Sequence, residues 1–159
     1  MRIMIIGGTG GIGLALAGHY AAQGAQLALC GRDPRRLQGH ALASSPRVRV
    51  YGVDIADAGA TRHAIHDFGR DGLDMLIVVA GQYADAAGLA AQPVLGPILV
   101  QTNIVGLVQA FDTAAMLMRQ QGHGQLVAVA SIAGLLKDYP GNSLYSASKR
   151  AAIAICEKI

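Results

Sequence analysis

The sequence predicts an α/β protein, a doubly wound parallel sheet in a three-layer α/β/α arrangement, and three observations carry that prediction. Short unbroken apolar runs recur along the chain, stretches with helical spacing separate them, and a glycine-rich turn joins the first run to the first helix. Ile3 to Ile6 is the first run, of the kind expected for a strand covered on both faces, and Gly7 ends it. Ile12, Leu16 and Tyr20, at steps of four, define a helix from Ile12 to Gln23, with Gly24 where a helix stops. Leu27 to Cys30 is the second strand, and Asp33 followed by Pro34 reads as the N-cap and first-turn proline of a helix reaching Ala43. Val48 to Val53 is the third strand, Asp57 to Phe68 a helix, and Leu73 to Val79 the fourth strand. A long helix over Val94 to Gln121, least regular in its middle, leads to a fifth strand, Leu126 to Val129, and a last helix from Ser143 to the chain end. The spacings allow parallel crossovers, and Gln82 to Gly96 reads as the long loop after a strand, where ligands meet open α/β sheets.

Composition narrows the function. With 159 residues, 52% of them apolar and 14% charged, residues 1–159 are expected to form one packed domain rather than a disordered chain. The 21 glycines follow no fixed period, so they serve local backbone needs. Net charge is +3, yet the basic residues are scattered apart from Arg32, Arg35 and Arg36 and then Arg47 and Arg49. With two Phe and no Trp there is no stacking platform either, so nucleic acid is not an expected partner, and a small anionic ligand suits the arginines better. Two cysteines, Cys30 and Cys156, make neither a disulfide framework nor a zinc site, and a reducing cytoplasm fits them. His19, His40, His63, His66 and His123 show no paired metal spacing, so no metal is expected. No run approaches the roughly 20 apolar residues of a membrane span, and the apolar start is too short for a signal-peptide core, so no membrane is expected as a partner.

The turn Gly7-Gly8-Thr9-Gly10-Gly11-Ile12-Gly13 lies between strand and helix, the context in which glycines let backbone N–H groups approach a pyrophosphate at a helix start. A dinucleotide is the natural guest. The run satisfies three glycine spacings at once (7, 11, 13; 7, 10, 13; 8, 10, 13), so it does not choose among dinucleotide families. At the end of the second strand a carboxylate would accept from the ribose of NAD, whereas an arginine pairs with a 2′-phosphate. Here Gly31 supplies no acid and Arg32, Arg35 and Arg36 supply positive charge, which favours NADP(H) over NAD(H). Asp33 is the alternative ribose acid, although Pro34 after it points to capping, and at least one of Arg35 and Arg36 belongs to a solvated face.

Tyr145 and Lys149 lie four apart, on one face of the last helix. A phenol titrates near 10, but at an effective dielectric of about 20 a positive charge about 5 Å away favours a phenolate by roughly 3 kcal/mol, which brings such a group into the range of a general acid or base. Alone the pair is common. Downstream of a dinucleotide turn it gains meaning.

With these motifs in order, the sequence resembles the short-chain dehydrogenase/reductase family over essentially its whole length. The matching positions are Gly7, Gly11 and Gly13; Asp54 before Ile55; Ala80-Gly81 after the fourth strand; Asn103; Ser131; and Tyr145 with Lys149. The resemblance implies a Rossmann fold and an oxidoreductase, a carbonyl reductase or alcohol dehydrogenase, acting on a small carbonyl or alcohol substrate. It implies that Tyr145 is the general acid, that Ser131 hydrogen-bonds the reacting oxygen, and that Lys149 assists Tyr145 and holds the nicotinamide ribose. Asn103 would fix a relay water, and Asp54 with Ile55 would meet the adenine. Thr9, Ile12, Arg32, Ala80 and Gly81 complete the expected cofactor contacts. Homo-oligomers joined through the long helix and the final helix are the family expectation. Three departures stand out: Val78-Val79 occupies the place of two asparagines, Ile6 replaces a threonine before the glycine turn, and family chains continue with further strands and a substrate lid beyond Ile159. The fifth strand is therefore expected at an open sheet edge, and a longer parent enzyme is the expected explanation. Two other readings share the motifs: a sugar-nucleotide epimerase or dehydratase with a retained dinucleotide, and a non-catalytic dinucleotide-binding module.

Overall fold

The computed structural model describes residues 1–136 and 143–158. Five parallel strands, β1 (Arg2–Ile6), β2 (Gln26–Gly31), β3 (Val48–Gly52), β4 (Met75–Val78) and β5 (Gln125–Ala128), form one sheet in the order β3-β2-β1-β4-β5. The sheet reverses direction of growth between β1 and β4, which makes this a Rossmann-type α/β fold and puts its ligand crevice at the carboxyl ends of those two strands. Among the described residues β5 pairs with β4 alone, as expected of an edge.

Alternation along the strands sorts the core. Met4 and Ile6 of β1 face one side with Ala28, Cys30, Leu76 and Val78, while Ile3 and Ile5 face the other with Leu27, Leu29 and Ile77. The first side is closed by α2 (Ala58–Gly69), α5 (Gly106–Gln121) and α6 (Ser143–Cys156), through Ile65, Phe68, Phe111 and Ala152 among others. The second is closed by α1 (Gly11–Ala22) and by Leu37. Val78, where a resembling chain carries an amide, is thus a core residue.

Three expectations need correction. The helix expected over Asp33 to Ala43 is two single turns of 3-10 helix, Pro34–Leu37 and Ala41–Ser44, separated by Gly39 at φ 76°. Asp33 does cap the first turn, accepting from the Arg35 N–H, but only Leu37 is fully buried, with Leu42 packed half-buried on the same cluster after the chain has turned at Gly39, so no continuous amphipathic stripe sustains a longer helix. The loop expected over Gln82 to Gly96 contains α3 (Ala86–Ala91), whose first turn is capped by Asp85 accepting from the Gly88 N–H at 2.7 Å. The long helix starts as α4 (Leu95–Val100), widens to a π-turn over Gln101–Val105 and continues as α5. That 27-residue stretch, Leu95–Gln121, is long and apolar enough by length and composition to cross a bilayer, contrary to the expectation that no segment approaches a span. Its packing on α2 and the sheet accounts for its apolar face as that of a core helix.

Candidate active site

The glycine turn leaves β1 at the switch point and enters α1. A Cβ on residue 13 would collide with the Gly7 carbonyl, so only glycine lets α1 start this close to the strand. Gly10 caps α1 with no side-chain hydrogen bond, and space is open where a side chain on residue 11 would be. Uncapped first-turn N–H groups beside open space suit an anion. A cleft of about 300 Å³ lies there, lined by Gly7, Thr9, Gly11, Arg32, Asp54, Ile55, Ala80 and Gly81, among others. The sequence-predicted adenine and pyrophosphate residues therefore meet in one cleft.

At its β2 end the structure explains two features the sequence left open. A Cβ on residue 31 would collide with the Thr9 hydroxyl, so the position of the expected ribose carboxylate is closed to any side chain while Thr9 is in place. The neighbouring Asp33 carboxylate is engaged: Oδ1 accepts from Arg35 Nε at 2.8 Å and from the Arg35 N–H at 3.1 Å. The side-chain hydrogen bond from Arg35 is the main reason the Asp33 carboxyl is held below the usual carboxylate range. Arg35 is thus the solvated partner of Asp33, whereas Arg32, Arg36 and Asp33 itself line the cleft, the Arg36 guanidinium lying 3.7 Å from where a Gly10 Cβ would be. Asp54 lines the cleft and also caps its own turn, with Oδ1 accepting from the Ala56 N–H at 3.0 Å.

Gly81 and Gln82 pass from this cleft into a second chamber of about 170 Å³, lined by Ile12, Val79, Tyr83, Val129, Ala130, Tyr145 and Lys149. Lys149 is 7% exposed and donates from Nζ to the Val129 carbonyl at 3.1 Å, and burial pushes its amine below the ordinary lysine value. Its Nζ lies 5.9 Å from the centroid of the Tyr145 ring and 3.2 Å from where a Cβ on residue 81 would sit. The asparagine singled out in the sequence is buried inside the π-turn. Asn103 Oδ1 accepts from the Gln82 N–H at 2.7 Å, and Nδ2 donates to the Gln82 carbonyl at 2.9 Å and to Ser148 Oγ at 3.0 Å. Ser148 in turn donates to the Tyr145 carbonyl at 2.7 Å, so one buried amide ties the loop after β4 to the helix carrying Tyr145 and Lys149. A widened turn of this kind commonly marks a functional site.

Ser131 directly follows Val129 and Ala130 of the chamber lining. Its Oγ accepts from the Ala133 N–H at 3.2 Å and caps the short turn Ile132–Gly134. The site also contains residues the sequence reading did not single out for it. Gln82 and Tyr83 are the main ones, and the signal for both was their position directly after Ala80-Gly81 at the start of the expected ligand loop.

The chain is 30% identical over 166 residues to an uncharacterized oxidoreductase of Mycobacterium tuberculosis, covering 99% of this chain and 65% of that protein. It is 34% identical over 167 residues to dehydrogenase/reductase SDR family member 7B of Bos taurus, covering 96% of this chain and 50% of that one. The chain thus spans one half to two thirds of the length of these relatives. Among solved structures, a short-chain type dehydrogenase/reductase from Mycobacterium marinum superposes with a TM-score of 0.86 at 27% identity, over 97% of this chain and 65% of its own. ElxO with NADP bound, at 24% identity and a TM-score of 0.87 over 97% of this chain and 64% of its own, shares the fold. The profile of the short chain dehydrogenase family matches residues 1–159, and with the glycine cleft, the buried amide tie and the tyrosine–lysine helix in place, this chain belongs to that family of oxidoreductases.

Proposed function

We propose that this chain carries the cofactor-binding and catalytic part of an NADP(H)-dependent oxidoreductase that moves a hydride between the nicotinamide and a ketone or secondary alcohol. The observation that carries the reading is the shared chamber of Tyr145 and Lys149, which opens through Gly81 onto the glycine cleft. When bound, the dinucleotide supplies or accepts the hydride. In the direction of reduction Tyr145 gives its phenolic proton to the carbonyl oxygen while the carbonyl carbon gains the hydride, so the product is the alcohol and the phenolate is reprotonated from solvent. Lys149 contributes positive charge beside that phenolate and a donor for the ribose hydroxyls. Ser131 donates to the same substrate oxygen while its Oγ keeps the Ala133 N–H. Asn103 spends its amide on Gln82 and Ser148, so its part is to hold the loop against Lys149, and a relay water would meet its main chain.

The cofactor preference rests on the residues at the end of β2. Arg32 and Arg36 offer two guanidinium groups to a 2′-phosphate, Thr9 excludes a carboxylate from position 31, and the Asp33 carboxylate is paired with Arg35. A cytoplasmic location and a homo-oligomer joined through α5 and α6 belong to the same proposal, supported by two free thiols and by Met116 exposed on α5.

Two measurements test the reading. Tyr145→Phe is expected to lower the reduction rate of a responsive ketone by about 10²- to 10⁴-fold with unchanged NADPH affinity, the range of a lost general acid, and wild-type turnover in that variant overturns the mechanism. Arg32→Asp is expected to weaken NADPH by roughly tenfold or more and NADH far less, because a charge-assisted contact to phosphate is lost. Equal losses for the two cofactors, measured by fluorescence titration, would remove the NADP(H) assignment.

A further inference from the structure

Tyr83 is the one large aromatic side chain of the loop after β4 that lines the chamber, and it does two things at once. Its ring meets the Tyr145 ring edge to face, with centroids 4.9 Å apart and planes at 74°, yet it remains 58% exposed. Most of its surface is therefore free beyond the contact with Tyr145. Ile12, in the same lining, is 60% exposed at the start of α1, and Val79 and Val129 are its other apolar side chains of size. Exposed apolar side chains that converge on a small cavity are the usual lining of a site for an apolar ligand group. Among the described residues of this lining the only charged side chain is Lys149, whose Nζ donates to the Val129 carbonyl and whose remaining donors the proposed reaction assigns to the ribose and the phenolate. Among the described lining residues no arginine or second cation is left over for a carboxylate or phosphate on the substrate, whereas a flat apolar group finds an aromatic ring and three branched side chains.

We infer that Tyr83 is a specificity-determining residue, which selects carbonyl compounds bearing an aromatic substituent next to the reacting carbon and stacks that substituent beside Tyr145. The inference rests on the proposed oxidoreductase reading for the meaning of the chamber, but its test does not depend on turnover. The quadrupole of one ring against another favours offset or edge-on packing, and such a pair adds to simple area burial. Tyr83 reaches this position because the loop is anchored just before it, with both main-chain groups of Gln82 held by Asn103.

Acetophenone and 2-butanone are the probes, and their binding to the NADP⁺-loaded chain is measured by calorimetry for wild type, Tyr83→Ala, Tyr83→Phe and Tyr145→Phe. The expected result is that Tyr83→Ala weakens acetophenone by roughly 2- to 12-fold, the range of one aromatic pair, while 2-butanone and NADP⁺ are unaffected. Tyr83→Phe, which keeps the ring, binds acetophenone like wild type. Where turnover is seen, the same ratio appears in KM for acetophenone. Acetophenone binding that is equal in wild type and Tyr83→Ala, or losses equal for both ketones, overturns the inference. Failure of the reaction itself shows separately, as absent turnover in wild type or as retained turnover in Tyr145→Phe, and leaves the binding comparison decisive for Tyr83.

Discussion

At the amino end of the sheet, polar side chains are partnered by one another and by main chain; at the carboxyl end, beside the partnered Asn103 and Asp33, glycine N–H groups and arginines line space. Arg2 opens β1 by donating from Nε to the Gly72 carbonyl at 2.8 Å and from Nη2 to the Phe68 carbonyl at 2.6 Å, with its guanidinium 4.6 Å from the Phe68 ring centroid. It also donates to the Gln26 side chain, and its backbone N–H meets Asp74 Oδ2 at 2.7 Å. His123 Nε2 lies 3.2 Å from Asp74 Oδ1, while Gln121 clamps both main-chain groups of Leu73. At the opposite end of the same strands sit the bare glycine turn, two arginines facing a cleft and an amine buried at a chamber wall. Both ends are polar. The difference is in what the polar groups have for partners, and it separates residues kept for the fold from residues kept for a ligand more cleanly than burial or charge does.

The comparison makes opposite demands on substitutions at its two ends, and Lys149 gives the largest expected effect. Its ammonium bears the cost of burial in return for one hydrogen bond to the Val129 carbonyl, so Lys149→Met removes a desolvated charge at similar volume. Turnover is expected to fall by about 10²-fold or more, yet Tm measured by calorimetry should equal or exceed that of wild type. Because the folded state holds this proton less tightly than the unfolded chain, the wild-type penalty is complete below the lowered folded-state value and fades as pH rises through it toward the ordinary lysine value. A fall in Tm at pH 7 would mean that Lys149 is a structural residue and would dissolve the contrast.

Arg2 tests the other end. Losing its two carbonyl contacts and its place over Phe68 should cost about 2 kcal/mol, taking about 1 kcal/mol for each hydrogen bond and somewhat less for the ring contact once methionine packing is regained. For a domain of this size, Arg2→Met is then expected to lower Tm by roughly 4–8 °C. NADPH affinity and turnover at 25 °C should not change, since the residue lies at the far end of β1 from the cleft. Weaker NADPH binding in Arg2→Met would show that the two ends are coupled through the strand.

How much of this was legible beforehand follows the same divide between local and long-range causes. The five strands, the glycine turn and the tyrosine–lysine face follow from period and spacing within short windows, and the structure places all of them within a few residues of expectation. The Asp33-Pro34 signal correctly indicated a cap but not a length, because what stops that helix is a left-handed Gly39, after which Leu42 reaches the core from a separate turn. Arg35 and Arg36 look alike in sequence, and only the Asp33 contact and the fold-back over Gly10 tell them apart. Tyr83 meeting Tyr145 and the Thr9 hydroxyl closing position 31 are contacts between segments far apart along the chain, which no periodicity encodes. Asn103 was visible as a residue, but its partners Gln82 and Ser148 were not.

The finest test of the closed end is electrostatic. Asp74 is held below the usual carboxylate range first by the Arg2 backbone N–H and then by the His123 side chain. A carboxyl with a depressed native pKa binds its proton less readily folded than unfolded, so its stabilisation is present above the unfolded value of about 4 and is lost as pH falls through the native one. Asp74→Asn should therefore lower Tm slightly at pH 7, and the gap from wild type should narrow as pH drops below about 4. The carboxylate is 37% exposed, so solvent screening keeps the effect well under that of Arg2→Met, and added salt should shrink it further. A gap that stays constant with pH would assign the contribution of Asp74 to its hydrogen-bonding shape rather than its charge. In that case the network at this end is held by geometry, and its contrast with the charged, ligand-facing end grows sharper.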